Sequence, residues 1–323
     1  MTRARESAIF ETILVKVEMM EEEMSSKNNS MVNKSRAKID GMVIIPGDPK
    51  NIRGKIEAQD SYYQTQDGKK RRIRMMFPEQ QNKKKKYPLV FHIQGSAWMK
   101  QNLNNHLLDL KEVVTNGYIV AIIEYTPIPE GIFPKQVEDC KQAIRFLMTK
   151  AEEYSIDTTN LFLSGDSSGG HTALLCWATW NQPLLDSSTT PLPPIRGCID
   201  LYGVSDLTTI ADYPSSVDHT HIESPESQLL GGKIPKDHKE EAEKASVPYY
   251  LKKNKQLAPL LIMHGNLDTV VPFEQSVELF AHCQSYEVTA EFYAIDNADH
   301  GGSLFFCEAV LKNIVSFLKK YTQ

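Results

Sequence analysis

The sequence predicts an α/β protein built on a doubly wound, mostly parallel sheet. Short apolar runs of strand length alternate along the chain with longer segments of helical periodicity. This alternation is typical of parallel sheets, because each parallel strand needs a right-handed crossover to reach the next. Polar and glycine-rich turns follow the later runs directly. Since ligands lie beyond the carboxyl ends of the strands in such sheets, we expect the functional residues in these turns.

Seven strands are expected where apolar residues run together between polar or small ones. In chain order they cover 73–77, 89–93, 119–123, 161–164, 197–202, 259–264 and 291–295. A helix is expected from Pro134, because proline suits the first helical turn and apolar residues recur at helical spacing from Val137 to Ala151. Further helices are expected at 172–180, 273–286 and 303–320.

The chain of 323 residues is expected to carry one main domain. Residues 41–323 form this domain, and no internal repeat divides them. Residues 1–40 combine an amphipathic stretch, a glutamate run and a polar segment, which predicts a flexible or helical N-terminal extension. Residues 206–255 lie between two late strands and are rich in proline, aspartate and serine. They predict a small lid-like insertion over the site.

Charge and cysteine usage exclude several classes of partner. The formal net charge of −5 argues against a nucleic-acid-binding surface. Five cysteines without metal-ligand spacing favour buried free thiols, with Cys140 and Cys176 on expected helices. No positively flanked apolar stretch is long enough for a signal peptide or a membrane span, so we expect a cytoplasmic protein with no membrane partner. The sequence leaves the oligomeric state open, a homo-oligomer included.

The candidate nucleophile lies in residues 161–171, where an apolar run ends in Gly-Asp-Ser-Ser-Gly before a helix-favouring segment. A serine between a strand and a helix can present its Oγ above the sheet if the backbone turns sharply. Gly165 and Gly169 allow that turn, because a Cβ at either position would collide with a neighbouring strand or helix. We therefore expect Ser167 to be a nucleophile.

A serine nucleophile needs a base and an acid that orients the base. The run 258–264 leads into a loop that carries Asp268, and the run 290–295 leads into a loop that carries His300. Both follow strands that would end at the same edge of the sheet as Ser167. We expect the three residues to form a catalytic triad, in the chain order Ser, Asp, His.

The strand at 88–93 runs into small residues followed by a tryptophan. Small side chains let backbone N–H groups approach a developing oxyanion. We expect these donors to be the N–H groups of Ser96 and Ala97, together with that of Ser168 after the nucleophile. Trp98 is expected to line the substrate pocket.

From residue 73 to the C-terminus the chain resembles the esterase/lipase branch of the α/β-hydrolases, close to hormone-sensitive-lipase-like and feruloyl or acetyl-xylan esterase-like carboxylesterases. The matching stretches are 94–98 in place of His-Gly-Gly-Gly/Ala-Trp, then 134–141, 165–170 and 264–272, with a softer match at 224–232. The order Ser, Asp, His is also that of the α/β-hydrolases. The chain departs from the family at Gln94, where histidine is usual, and at Ser96 and Ala97, which replace glycines.

The resemblance implies a serine carboxylesterase that works through an acyl-enzyme and needs no metal or organic cofactor. Its implied substrates are small-molecule or oligosaccharide esters with short acyl or hydroxycinnamoyl groups. Two alternatives remain open at this point. One is an arylformamidase or small peptidase on the same scaffold, and the other is a non-catalytic binding protein of the hydrolase fold.

Overall fold

The computed structural model describes Met42 and residues 54–78, 85–254 and 256–323. The expected extension at 1–40 and its boundary with the main domain lie outside these residues. The described residues from 54 onward belong to one compact unit.

One sheet of eight strands forms the centre of the described residues. The strands are β1 (Gly54–Gln64), β2 (Lys70–Pro78), β3 (Tyr87–Ile93), β4 (Ile119–Ile123), β5 (Ile156–Asp166), β6 (Ile195–Leu201), β7 (Leu260–Gly265) and β8 (Ala290–Ile295). Their order across the sheet is β1-β2-β4-β3-β5-β6-β7-β8. Strands β3 to β8 are parallel to one another, whereas β2 is antiparallel to both β1 and β4. The expected mostly parallel sheet is therefore confirmed.

Helices cover both faces of this sheet. They are α1 (Lys111–Thr115), α2 (Lys135–Thr149), α3 (Ser168–Ala178), α4 (Pro225–Leu229), α5 (Lys239–Lys244), α6 (Pro248–Leu251), α7 (Glu274–Ser285) and α8 (Glu308–Tyr321). Side chains of α2, α3 and α7 belong to one apolar cluster, and those of α1 and α8 belong to a second. Two clusters that share one sheet define the doubly wound arrangement. Within the described ranges, no helix is long and apolar enough to cross a bilayer.

All seven expected strands are present. The structure differs from the expectation in one additional strand and in the division of the last expected helix. Strand β1 was not expected, because its sequence is largely polar and it pairs with β2 alone at the edge of the sheet. The helix expected over 303–320 is divided into a 3-10 turn (Ser303–Phe306) and α8, since Cys307 between them is extended. All five thiols are free, and four of them, including Cys140 and Cys176, are buried as expected.

The insertion at 206–255 is a packed layer of the domain. Its described part contains the 3-10 turn Ile210–Asp212 and helices α4, α5 and α6. Apolar side chains from each of these segments, such as Ile210, Leu229 and Leu251, are buried in the same cluster as α2 and α3. Burial of this kind stabilises a segment by roughly 25 cal/mol per Å² of apolar surface removed from water. The role of the insertion as a lid stays a prediction.

Candidate active site

Ser167 lies at the sharp turn between β5 and α3, in the centre of the sheet. Its φ of 51° and ψ of −126° are strained for a residue with a Cβ. The glycines on either side permit the turn. A Cβ on Gly165 would lie 2.3 Å from the carbonyl oxygen of Gly169, and one on Gly169 would lie 2.0 Å from that of Ile93. The turn leaves Ser167 partly exposed although both of its neighbours are buried.

The three expected triad residues meet beyond the carboxyl ends of β5, β7 and β8. His300 Nε2 lies 2.9 Å from Ser167 Oγ, and His300 Nδ1 lies 2.8 Å from Asp268 Oδ2. The imidazole can therefore accept the serine proton at one nitrogen while it donates to the carboxylate at the other. This places a candidate base within direct hydrogen-bond reach of Ser167, with an acid that can orient the base at its other nitrogen.

The Asp268 carboxylate is fully buried and accepts four hydrogen bonds. Oδ1 accepts from the backbone N–H groups of Val270 and Val271, at 2.8 and 2.9 Å. Oδ2 accepts from His300 and also from His264, whose Nε2 lies 3.1 Å away. Burial alone would raise the pKa of this carboxyl group, but the hydrogen bonds from the two histidines outweigh it and hold the pKa well below its usual range. Asp268 therefore faces the imidazole as a carboxylate at neutral pH.

His264, at the end of β7, belongs to the candidate site and was not assigned by sequence reasoning. Its Nε2 faces two acceptors, Asp268 Oδ2 and the carbonyl of Val271 at 3.1 Å, so this nitrogen must carry the hydrogen. Its Nδ1 accepts from the Ser276 hydroxyl at 2.7 Å. The buried ring therefore fixes Asp268 from the side opposite His300. The sequence signal was a histidine four residues before the acid, at the end of a strand.

Two further contacts hold the His300 imidazole above Ser167. The ring of Tyr202 meets the imidazole edge to face, with centroids 4.9 Å apart. The His300 backbone N–H donates to Asp299 Oδ1, which also accepts from the N–H of Thr269 in the loop that carries Asp268. The loops that carry the acid and the base are therefore tied together. The His300 side chain remains 19% exposed, so a substrate can reach it.

Residues 94–98, called the oxyanion loop below because they carry expected oxyanion donors, lie beside Ser167 and Ser168. Their hydrogen bonds differ from the expectation. The Ser96 N–H donates to Ser168 Oγ at 2.9 Å, and the Trp98 N–H donates to the same oxygen at 3.1 Å. Ser96 is therefore not a free oxyanion donor, because the side chain of Ser168 already accepts its hydrogen. Among the described residues, the N–H groups of Ala97 and Ser168 have no acceptor. For Ser168 the reason is its place in the first turn of α3, where N–H groups have no intrahelical partner.

Trp98 does not lie on an open pocket wall, contrary to expectation. Its side chain is 1% exposed and belongs to the main core. The indole Nε1–H donates to His171 Nδ1 at 3.2 Å, and the two rings meet edge to face. The left-handed φ of 57° at Trp98 turns the side chain inward beneath the oxyanion loop. Trp98 therefore supports that loop from below.

His171, on α3, joins the oxyanion loop to the insertion. Its Nε2 lies 2.8 Å from the carbonyl of Ala245, while its Nδ1 accepts from Trp98. One nitrogen thus needs a hydrogen and the other must lack one, so the ring has to be neutral. Burial lowers the pKa of His171 from 6.5 to about 4.

Acid should destabilise the protein through His171. Between pH 6.5 and 4 the unfolded chain takes up a proton at this position and the folded chain does not, so stability falls as the pH falls. At pH 4.5 the loss is ~2.5 kcal/mol relative to neutral pH. This loss is measured by urea unfolding of the wild type and of His171→Gln at pH 7.5 and 4.5, which gives the free energy of unfolding of each protein. The stability advantage of the wild type should shrink by this amount, and equal pH dependence in both proteins would contradict the assignment.

With this sheet and this site, the protein is an α/β-hydrolase. The model of the BD-FAE family matches residues 75–283, well over half of the chain, and the protein belongs to this family. The expected membership of the α/β-hydrolase superfamily, esterase/lipase branch, is thereby confirmed.

Curated relatives are similar over part of their length. A probable carboxylic ester hydrolase, LipM, of Mycobacterium tuberculosis is 25% identical over 58% of this chain and 43% of its own. A probable isoprenylcysteine alpha-carbonyl methylesterase, ICMEL1, of Oryza sativa subsp. japonica is 25% identical over 66% of this chain and 50% of its own. The chain thus spans half or less of the length of these relatives.

Solved structures share the fold over nearly their whole length. A truncated carbohydrate esterase from gut microbiota superposes with a TM-score of 0.70 at 23% identity, covering 85% of this chain and 98% of that one. Est2 of Thermogutta terrifontis, in a propionate-bound form, has a TM-score of 0.64 at 19% identity over 81% and 94%. At these identities the likeness establishes the fold alone.

Proposed function

We propose that this protein is a serine carboxylesterase that hydrolyses short acyl or hydroxycinnamoyl esters, including esters on carbohydrates. The observation that carries the proposal is the continuous hydrogen-bonded chain from Ser167 Oγ through His300 to Asp268. A strained, partly exposed serine at the head of this chain is the arrangement that acyl transfer requires.

The reaction follows from the positions of these atoms. Ser167 Oγ attacks the ester carbonyl carbon while His300 Nε2 takes the hydroxyl proton. The negative charge on the carbonyl oxygen would be met by the N–H groups of Ala97 and Ser168. His300 then gives its proton to the departing alkoxide, which leaves an acyl-Ser167 ester. Water, deprotonated by His300, attacks this ester and releases the acid, and the proton returns to Ser167.

Asp268 stabilises the imidazolium that forms in each half of the reaction. Its carboxylate remains ionised and keeps the Nδ1–H of His300 pointed away from the serine. All of these steps use groups of the chain itself together with water. We therefore propose that the hydrolysis needs neither a metal nor an organic cofactor.

The substrate class is supported by the packing of the insertion and by the names of related structures. Ala245, in the insertion, contacts His171 next to the nucleophile turn, which brings this layer close to the site. One similar structure is that of a carbohydrate esterase from gut microbiota, and Est2 of Thermogutta terrifontis was solved with propionate and with butyrate. These observations favour a short acyl group, in agreement with the resemblance in the sequence.

Acyl-length dependence tests the substrate class. We expect nitrophenyl acetate, propionate and butyrate to be hydrolysed well and esters beyond about eight carbons poorly. Each added methylene contributes at most ~0.8 kcal/mol of burial where it fits and a steric penalty where it does not. The measurement is kcat/KM across the series, with Ser167→Ala as the blank, followed by acetylated and feruloylated sugars. A preference for decanoyl or longer esters would contradict the short-acyl proposal and favour a lipase.

The same assay separates the alternative functions. Faster hydrolysis of a formanilide than of nitrophenyl acetate would indicate an arylformamidase, and faster hydrolysis of a dipeptide amide would indicate a peptidase. A protein with no turnover of any of these substrates would be a binding protein on the hydrolase fold.

A further inference from the structure

Behind the nucleophile turn, two histidines converge on one carboxylate outside the triad. His92 lies on β3, His106 lies in the turn before α1, and Asp166 ends β5. His92 Nε2 lies 3.2 Å from Asp166 Oδ1, and His106 Nε2 lies 3.4 Å from Asp166 Oδ2. One potential ligand atom from each residue lies within 4.8 Å of the other two. None of the three side chains hydrogen-bonds to Ser167, His300 or Asp268 among the described contacts.

The second nitrogen of each imidazole is held by a hydrogen bond outside the cluster. His92 Nδ1 lies 3.2 Å from the Ser164 hydroxyl, and His106 Nδ1 lies 3.1 Å from the Asp109 carboxylate. Asp166 is also held, because its Oδ1 accepts the Gly95 N–H at 3.0 Å. Metal-binding histidines have this outer arrangement in most proteins, since a partner at the second nitrogen fixes the ring and its tautomer.

His92 Nε2 is the least satisfied atom of the cluster. The side chain is fully buried, and this nitrogen has no hydrogen-bond partner among the described residues although the carboxylate oxygen is near. His92 Nε2 and Asp166 Oδ1 are close enough for a hydrogen bond, but the angle between them does not allow one. A buried polar atom without a partner loses its hydrogen bonds to water and gains none in return, so its presence calls for an explanation.

We propose that His92, His106 and Asp166 bind a divalent transition-metal ion of the zinc type through the two Nε2 atoms and the carboxylate. Two imidazoles and one carboxylate are a known ligand set for Zn²⁺, which leaves a fourth position for water. Ligands at 2.0–2.1 Å in a tetrahedron lie about 3.3 Å from one another. The two Nε2 atoms lie at similar distances from Asp166, one from Oδ1 and the other from Oδ2, and one ligand atom of each residue lies within 4.8 Å of the other two. An ion can reach the site past His106, whose side chain lies on a turn and is 15% exposed.

Metal titration of the 323-residue chain tests this proposal. After treatment with EDTA and removal of the chelator, Co²⁺ is added and the visible absorption is followed, and Zn²⁺ is titrated by calorimetry. We expect one ion to bind with the spectrum of a four- or five-coordinate nitrogen and oxygen site, without the charge-transfer band of a cysteine ligand. Absence of saturable binding in the wild type would overturn the proposal and leave a cluster held by hydrogen bonds alone.

Variants locate the bound ion. His106→Gln removes a partly exposed ligand and should weaken binding by well over ~10-fold. Asp109→Asn changes only the outer partner of His106 and should weaken it by ~10–100-fold, with little risk to folding. His221→Ala, which removes an exposed histidine elsewhere, and His300→Gln, which removes the triad imidazole, should both bind the ion as the wild type does.

Unchanged affinity in His106→Gln and Asp109→Asn would overturn the assignment. Loss of binding in His300→Gln would also overturn it, because the ion would then lie in the triad. Since the readout is metal affinity, this result does not depend on whether the protein hydrolyses esters.

Discussion

Ser167→Ala should lower kcat for ester hydrolysis by roughly 10⁶-fold and leave the fold intact. The expected loss is this large because triad residues act as a unit, so removal of the nucleophile removes nearly all of their joint contribution. The fold should survive because Ser167 is partly exposed and loses a single oxygen atom, while its backbone N–H still donates to Leu201 at 2.9 Å. The measurement is single-substrate kinetics on nitrophenyl acetate, with circular dichroism and thermal unfolding to compare the folds.

Ser316→Ala is the control for this experiment. It removes an exposed hydroxyl on α8, outside the candidate site. A fluorophosphonate should label the wild type and Ser316→Ala at Ser167, as read by mass spectrometry, and should not label Ser167→Ala. A folded Ser167→Ala protein with activity near that of the wild type would exclude the proposed mechanism.

The fold, and the convergence of Ser167, Asp268 and His300 at one edge of the sheet, could be predicted because the relevant signals are local. Each of the three residues follows an apolar run within a few positions, and parallel strands bring their carboxyl ends to one edge of the sheet. Knowledge of the strand order was not needed to expect Ser167, Asp268 and His300 together. Strand β1 gave no such signal, because an edge strand with a largely polar sequence lacks the apolar run of a buried one.

The finer features of the site depend on contacts between segments that are distant in sequence. The Ser168 hydroxyl accepts the Ser96 N–H across 72 positions, and no pattern around either residue predicts that bond. The side chain of Trp98 turns inward because its φ is positive, which the sequence does not reveal. His92 and His106 reach Asp166 from two other segments, so their convergence becomes visible only in the folded chain.

Asp268→Asn should lower kcat by about 10⁴-fold, the loss typical of a triad whose imidazole adopts the wrong tautomer. The hydrogen bonds around Asp268 determine the orientation of the asparagine side-chain amide in this variant. Two backbone N–H groups donate to Oδ1, so the asparagine oxygen must occupy that position. The amide NH₂ then takes the place of Oδ2 and faces His300 Nδ1 and the Nε2–H of His264. His300 can meet it only by accepting at Nδ1, which moves the hydrogen to Nε2 and leaves no base for Ser167.

His264 makes this tautomer change difficult to avoid. Its Nε2 must keep its hydrogen for the carbonyl of Val271, so it cannot accept from the new amide, and one N–H···H–N conflict remains in the buried site. We therefore expect lower stability together with the loss in kcat, and little change in KM because the substrate contacts are untouched. Asp299→Asn is the matched control. Its Oδ1 accepts from the backbone of His300 and Thr269, which an asparagine oxygen can also do. Near-normal kcat in a folded Asp268→Asn protein would show that His300 keeps its tautomer without the carboxylate.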